Sequence, residues 1–256
     1  FCFSLTAPAA CFYKLAEILF SGRSFPGGKS RHGSPGKDKI PNTIIRGPRA
    51  ARPARFGKRS ADGKKMKTMP SFCGLPDRIP SREECEALMA EHAMLPNIVA
   101  HSCQVMRVSL AITDHLKKDV SVNRDLVLAA ALLHGITKTR ALQTKEKHDQ
   151  TGGDLLAALG FASVGNVVRQ HVALTDFHPE GRLEEREIVN YADKRVMHDS
   201  VVSLAERMRD LLLRYGATEE IRQSIRNNGK QVLAVEMKIR TRLAVPLETV
   251  IGTLRR

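Results

Sequence analysis

The stretch Leu126-Val127-Leu128-Ala129-Ala130-Ala131-Leu132-Leu133 runs directly into His134-Gly135-Ile136-Thr137-Lys138. Eight apolar residues in a row, with no Gly or Pro, read as the buried part of a helix from about Asn123 to His134. A histidine closing such a run stands at the edge of an interior, where a polar ring needs a partner.

The pattern is helical on both sides of it. Ser81-Arg82-Glu83-Glu84 is a capping-box signature and opens a helix to about Met94. Pro96 suits the first turn of the next helix, to about Lys117, with Ile98, Val105, Leu110 and Ile112 on its apolar stripe. Further helices are expected over about 149–159, stopped by Gly160, and over about 163–172. A loop over 175–182 carries Pro179 and Gly181, and a helix with Ile188, Val189, Tyr191 and Asp193 follows it. Amphipathic segments cover about 201–215 and 219–243, broken before Pro246. No alternating strand pattern and no repeat is found, so the expected class is all-α.

The chain has 256 residues and a formal charge of +14. That charge sits at one end. Residues 1–68 hold 15 Lys/Arg against 3 Asp/Glu, whereas the rest holds 26 against 24. Nucleic-acid binding is therefore not expected of residues 81–256. Residues 1–80 also carry 9 of the 12 prolines and 9 of the 18 glycines. Such a composition buries too little apolar surface to offset chain entropy, and the segment is expected to be disordered. One expectation is that it is translated upstream sequence, with the native start at Met66 or Met69. A basic binding arm or a transit segment is the alternative. The expected layout is thus a basic segment over 1–80, a helical domain over 81–215, and C-terminal helices packed on it over 216–256.

Five cysteines without a close CxxC pair give neither a disulfide framework nor a thiolate zinc site, which fits a reducing, cytoplasmic setting. No apolar run reaches the ~18–20 residues that span a bilayer. A homodimer through the 219–243 helix is one arrangement the pattern allows. A helix packed on its own domain is the simpler one.

His101, His134, His148, His171 and Asp193 fall on different expected helices. Imidazoles and carboxylates are the ligands that divalent Fe, Mn or Zn prefer. Placed on separate helices of a bundle, they can converge on one interior point. Any one of these histidines taken alone reads as a core or cap residue. His92, His115 and His178 read as surface or loop positions. His198-Asp199 is a literal His-Asp pair, but it lies beyond Asp193 and no apolar run precedes it.

The order and context of the five positions resemble the HD-domain superfamily of metal-dependent phosphohydrolases, in its HDIG-type branch. Its pattern is an early His, a His-Asp pair closing an apolar helix, further His residues and a late Asp. The run His148-Asp-Gln-Thr-Gly-Gly-Asp-Leu-Leu-Ala-Ala-Leu-Gly160 is similar to the family's "H-x-x-x-G-x-x-L-L-x-x-L-G" segment, and Arg169-Gln170-His171 and Asn190-Tyr191-Ala192-Asp193-Lys194 also fit. The resemblance implies a compact helical bundle and one or two divalent metals per chain (Fe, Mn, Zn, Mg or similar). It implies hydrolysis of a small-molecule nucleotide or other phosphoester, with Asp193 as ligand and Lys138 beside the phosphate. A solvated helix-end lysine is an equal reading of Lys138.

Gly135 stands where that pattern has its paired aspartate. What remains for the first metal is His101, His134 and Asp193. His148 and His171 would make a second site without its bridging carboxylate. Adjacent Asp149 points about 100° away from His148 on a helix and is a poor substitute. Three expectations follow: a phosphohydrolase with a weakened site, a protein that binds a nucleotide or protein partner without turnover, or a local variant of an active enzyme. A purely structural helical adaptor, with the histidines as packing, is the reading from another class.

Overall fold

The structure is a computed structural model that describes residues 76–254. The expectations for the basic segment, including its disorder and the Met66 or Met69 start, fall almost wholly outside these residues. The described elements are α1 (Arg82–Glu91), α2 (Pro96–Asp114), α3 (Arg124–Leu133), α4 (Lys138–Thr144), α5 (His148–Ala158), α6 (Ala162–Arg169) and α7 (Glu185–Lys194). They continue as β1 (Val196–Met197), β2 (Ser200–Val201), α8 (Leu204–Tyr215), α9 (Glu219–Arg242) and α10 (Leu247–Gly252). The class is all-α, with one two-residue antiparallel hairpin pairing Val196 with Val201 and Met197 with Ser200.

The apolar run forms the central helix. Asn123 caps α3 by accepting from the Asp125 and Leu126 amides, each at 3.1 Å. Val127 and the five residues Ala129 to Leu133 are buried, so α3 is covered on nearly every side. It packs against α1, α2, α6 and α7. Around it α2 meets α7 and α10, and α9 lies on α7 and α8. Capping boxes start three helices, at Ser81 and Glu84, Glu184 and Glu187, and Ser203 and Glu206.

The tightest crossing is between α5 and α6. A Cβ on Gly153 would lie 2.7 Å from the Gly165 carbonyl oxygen, and one on Gly165 would lie 2.5 Å from the Gly153 oxygen. Only glycine at both positions lets the two backbones touch. This contact holds the start of α5, which bears His148, against the end of α6, which leads to His171. Gly160, at φ 85°, makes the left-handed turn between them.

Two elements differ from expectation. The short α4 follows the apolar run after one turn, and none of its residues is buried. The hairpin at 196–201 has strands too short to alternate.

Candidate metal centre

Each of the five residues is delivered by a different part of the bundle. His101 lies on α2, His134 is the C-cap of α3, His148 begins α5, His171 follows α6, and Asp193 lies near the end of α7. His134 and His171 are each 2 % exposed. The ring centroids form a chain: His101 to His134 5.3 Å, His134 to His171 4.9 Å, His171 to His148 5.0 Å. Asp193 Oδ1 lies 3.0 Å from His101 Nε2 and 3.7 Å from His134 Nε2. One ligand atom from each of His101, His134 and Asp193 falls within 4.8 Å of the others.

The rings are oriented by the backbone. Nδ1–H of His134 donates to the Ala131 carbonyl at 2.8 Å, and that of His171 to the Val168 carbonyl at 2.7 Å. His101 Nδ1–H donates to the carbonyl of His198 at 2.7 Å. These bonds fix the tautomer and turn each Nε2 lone pair inward, as backbone partners do for metal-ligating histidines. The Nε2 of His101 then faces a carboxylate oxygen at 3.0 Å, acceptor against acceptor. Such an approach is repulsive unless a proton or a cation lies between. With its Nδ1–H committed, His171 Nε2 accepts from His148 Nε2–H at 3.1 Å.

Electrostatics keep the His134, His148 and His171 rings neutral and the acid charged. Burial, followed by the nearby His171 ring, pushes the His134 pKa well below its ordinary value. Burial lowers His171 to about 3, and burial with the Lys138 ammonium lowers His148 to about 4. Burial pushes the Asp193 carboxyl up, but the Lys194 ammonium outweighs it and helps hold it well below the carboxylate range. Neutral imidazoles and an ionised carboxylate are the protonation states in which these groups bind metal. The donor set therefore fits a divalent ion at His101, His134 and Asp193, a two-histidine, one-carboxylate group with open positions.

Gly135 is buried beside this centre. A Cβ there would meet Ile98 Cγ2 at 3.0 Å, Met94 Cε at 3.5 Å and Ser102 Oγ at 3.6 Å. Ser102 Oγ is itself buried without a hydrogen-bond partner. Part of the room a carboxylate would use is thus taken by apolar side chains, and one hydroxyl beside it is left unsatisfied.

Supporting groups complete the site. Thr137 Oγ1 donates to the His148 carbonyl at 2.9 Å, tying the end of the apolar run to α5. Asn190 Nδ2 donates to the carbonyls of Gln170 and His171. Lys194, 5 % exposed, donates through Nζ to Asp193 Oδ2 at 2.8 Å and to the His171 carbonyl at 2.9 Å. Lys138 lines a cavity of about 380 Å³ together with His148, His171, Asp193, Lys194 and Arg207.

Three contributors escape sequence reasoning. Lys194 enters only through the 190–194 motif, and its one signal is its place next to Asp193. His198 serves through its backbone carbonyl, for which its side chain carries no signal. Arg207 reads with Glu206 and Arg209 as a solvated face, yet its side chain is 12 % exposed, pairs with Asp210 at 2.8 Å and turns to the cavity. His92, His115 and His178 lie outside the cluster.

No curated protein and no solved structure matches the chain. Residues 98–198, from the first turns of α2 to the hairpin, match the family model of the HD domain. The five positions all fall inside that span, so the likeness to the HD-domain superfamily rests on residues 98–198.

Proposed function

We propose that the chain is a metal-dependent phosphohydrolase acting on a nucleotide or other phosphoester, through a centre weakened by Gly135. The superfamily is one of metal-dependent phosphohydrolases, and that is the coarse frame. The observation that carries the reading is the convergence of His101 Nε2 and His134 Nε2 on Asp193 Oδ1, with both rings held by backbone carbonyls. A packing role would not require two imidazole lone pairs to face one carboxylate.

His101, His134 and Asp193 would hold the ion, with His148 and His171 next to it. When bound, a divalent ion supplies a Lewis acid that lowers the pKa of a water and neutralises phosphate charge. The chain's own groups position the rest. Lys194 holds Asp193 through Oδ2, leaving Oδ1 turned to the histidines. Lys138 presents an ammonium at the cavity wall, where it would meet a phosphate oxygen. His148 keeps its proton on Nε2 and shares it with His171.

A second reading has its own support. The Ile98 methyl stands 3.0 Å from where a side chain at 135 would begin. This apolar filling favours a catalytically impaired protein that binds a nucleotide or protein partner without turnover. Assays of phosphate release from nucleotides and phosphodiesters in Mn²⁺ or Fe²⁺ separate the two. Turnover that disappears in His134→Ala supports the hydrolase. Ligand binding with no turnover by either form supports the impaired protein, and absence of both binding and turnover overturns the phosphoester assignment.

A further inference from the structure

The cavity of about 380 Å³ that opens beside His148, His171 and Asp193 is walled in part by segments that lie after residue 198, where the HD segment ends. α4 gives one side through Ala141 and Leu142. α8 and α9 give the other through Met208, Leu211, Tyr215, Ile221 and Ile225. The family match ends at residue 198, so the α8 and α9 side of this wall lies outside it.

Its mouth is unusually apolar for an exposed surface. Leu142 is 54 % exposed, Tyr215 53 %, Ile221 41 % and Val172 36 %. These four come from α4, α8, α9 and the segment after α6, yet all of them line this cavity. Single exposed apolar residues are ordinary, whereas a convergent rim marks a binding site. Several polar groups on the wall are engaged within the protein, while Arg207 Nε and Asn228 Oδ1 are buried there without a partner. Asn228 Nδ2 donates to the Val172 carbonyl, Glu146 accepts from Arg140, Arg207 pairs with Asp210, and Lys194 is held by Asp193.

Resting on the phosphohydrolase reading, we infer that the substrate is a phosphoester whose alcohol part is apolar or aromatic. That part lies against Leu142, Leu211, Tyr215, Ile221 and Ile225, with the phosphate at the histidine end beside Lys138.

The test uses non-hydrolysable probes on the full chain loaded with Mn²⁺. Dissociation constants are measured by calorimetry for inorganic phosphate, hydroxymethylphosphonate and phenylphosphonate. Phenylphosphonate is expected to bind roughly tenfold tighter, or more, than the other two. Tyr215→Ala and Ile221→Ala, both at exposed positions, are expected to remove most of that preference while the phosphate constant stays within about twofold. Equal constants for the three probes, or a loss in the variants that falls equally on phosphate, overturn the inference and leave the metal centre standing. If the Mn²⁺-loaded chain binds no phosphate, the phosphohydrolase reading fails and the inference with it.

Discussion

Replacing Gly135 by aspartate returns a carboxylate to the end of the apolar run, and the structure sets the size of the response. The backbone at 135 lies outside the left-handed region, so a side chain brings no φ strain. Its Cβ would sit 3.0 Å from Ile98 Cγ2, which must yield by a few tenths of an ångström. The larger cost is electrostatic. A second buried carboxylate would join Asp193, with the Ser102 hydroxyl as the nearest unengaged donor. Without metal, Gly135→Asp should lose ~2–4 kcal/mol. This corresponds to a Tm lower by roughly 5–15 °C. With metal the added anionic ligand should tighten binding by about tenfold or more, ~1.4 kcal/mol. Gly135→Asn has the same bulk and no charge, and should show the crowding without the gain. The assay is a thermal melt of all three forms with chelator and with Mn²⁺, alongside calorimetric titration of the metal. An aspartate variant whose metal affinity is unchanged or weaker would show that position 135 does not face the centre.

Other outcomes follow from the same geometry. Lys194→Met removes the partner of Asp193 Oδ2 and of the His171 carbonyl, and should cost about 3–5 kcal/mol in urea denaturation; a loss under ~1 kcal/mol would mean Lys194 does not hold the carboxylate. Gly153→Ala drives a methyl into the Gly165 carbonyl and should cost ~1–3 kcal/mol. It should also shift the ring NMR signals of His148 and His171, and unshifted rings would refute the link between that crossing and the site. The folded pKa values of His148, about 4, and His171, about 3, lie below the ordinary 6.5. The unfolded chain therefore takes up protons first on acidification. Stability of the metal-free protein, full above about pH 6.5, should fall by up to ~1.4 kcal/mol per pH unit for each ring down to those values. A stability that is flat between pH 7 and pH 4.5 would contradict the buried neutral rings.

The fold was legible where burial is written in composition. The 126–133 run has no polar face, and it becomes the helix covered on nearly every side. The cap signals at Ser81 and Gly160 mark real boundaries because each satisfies backbone groups locally. α4 was not legible, since Lys138-Thr-Arg-Ala-Leu-Gln-Thr144 buries nothing and carries no stripe. The 196–201 hairpin was missed because two-residue strands cannot show a period. At the site, the five side chains were readable from residue type and order, and the structure brings them into one cluster. The groups that orient them were not. The His198 carbonyl belongs to a residue whose side chain is exposed, and the Ala131 and Val168 carbonyls have no side-chain signature at all. Arg207 was not legible as a cavity residue, because helical periodicity tells which face a residue occupies, not whether a cavity lies beneath that face.

The central claim is that His101, His134 and Asp193 form a metal centre. Metal content of the purified chain, stripped with chelator and reloaded with Mn²⁺ or Fe²⁺, tests it most directly. Saturable binding of a divalent ion to the native chain is expected, lost in His134→Ala and in Asp193→Ala while the variants keep their helical circular dichroism. A native chain that binds no divalent ion, or variants that bind it as well as the native chain does, would contradict it.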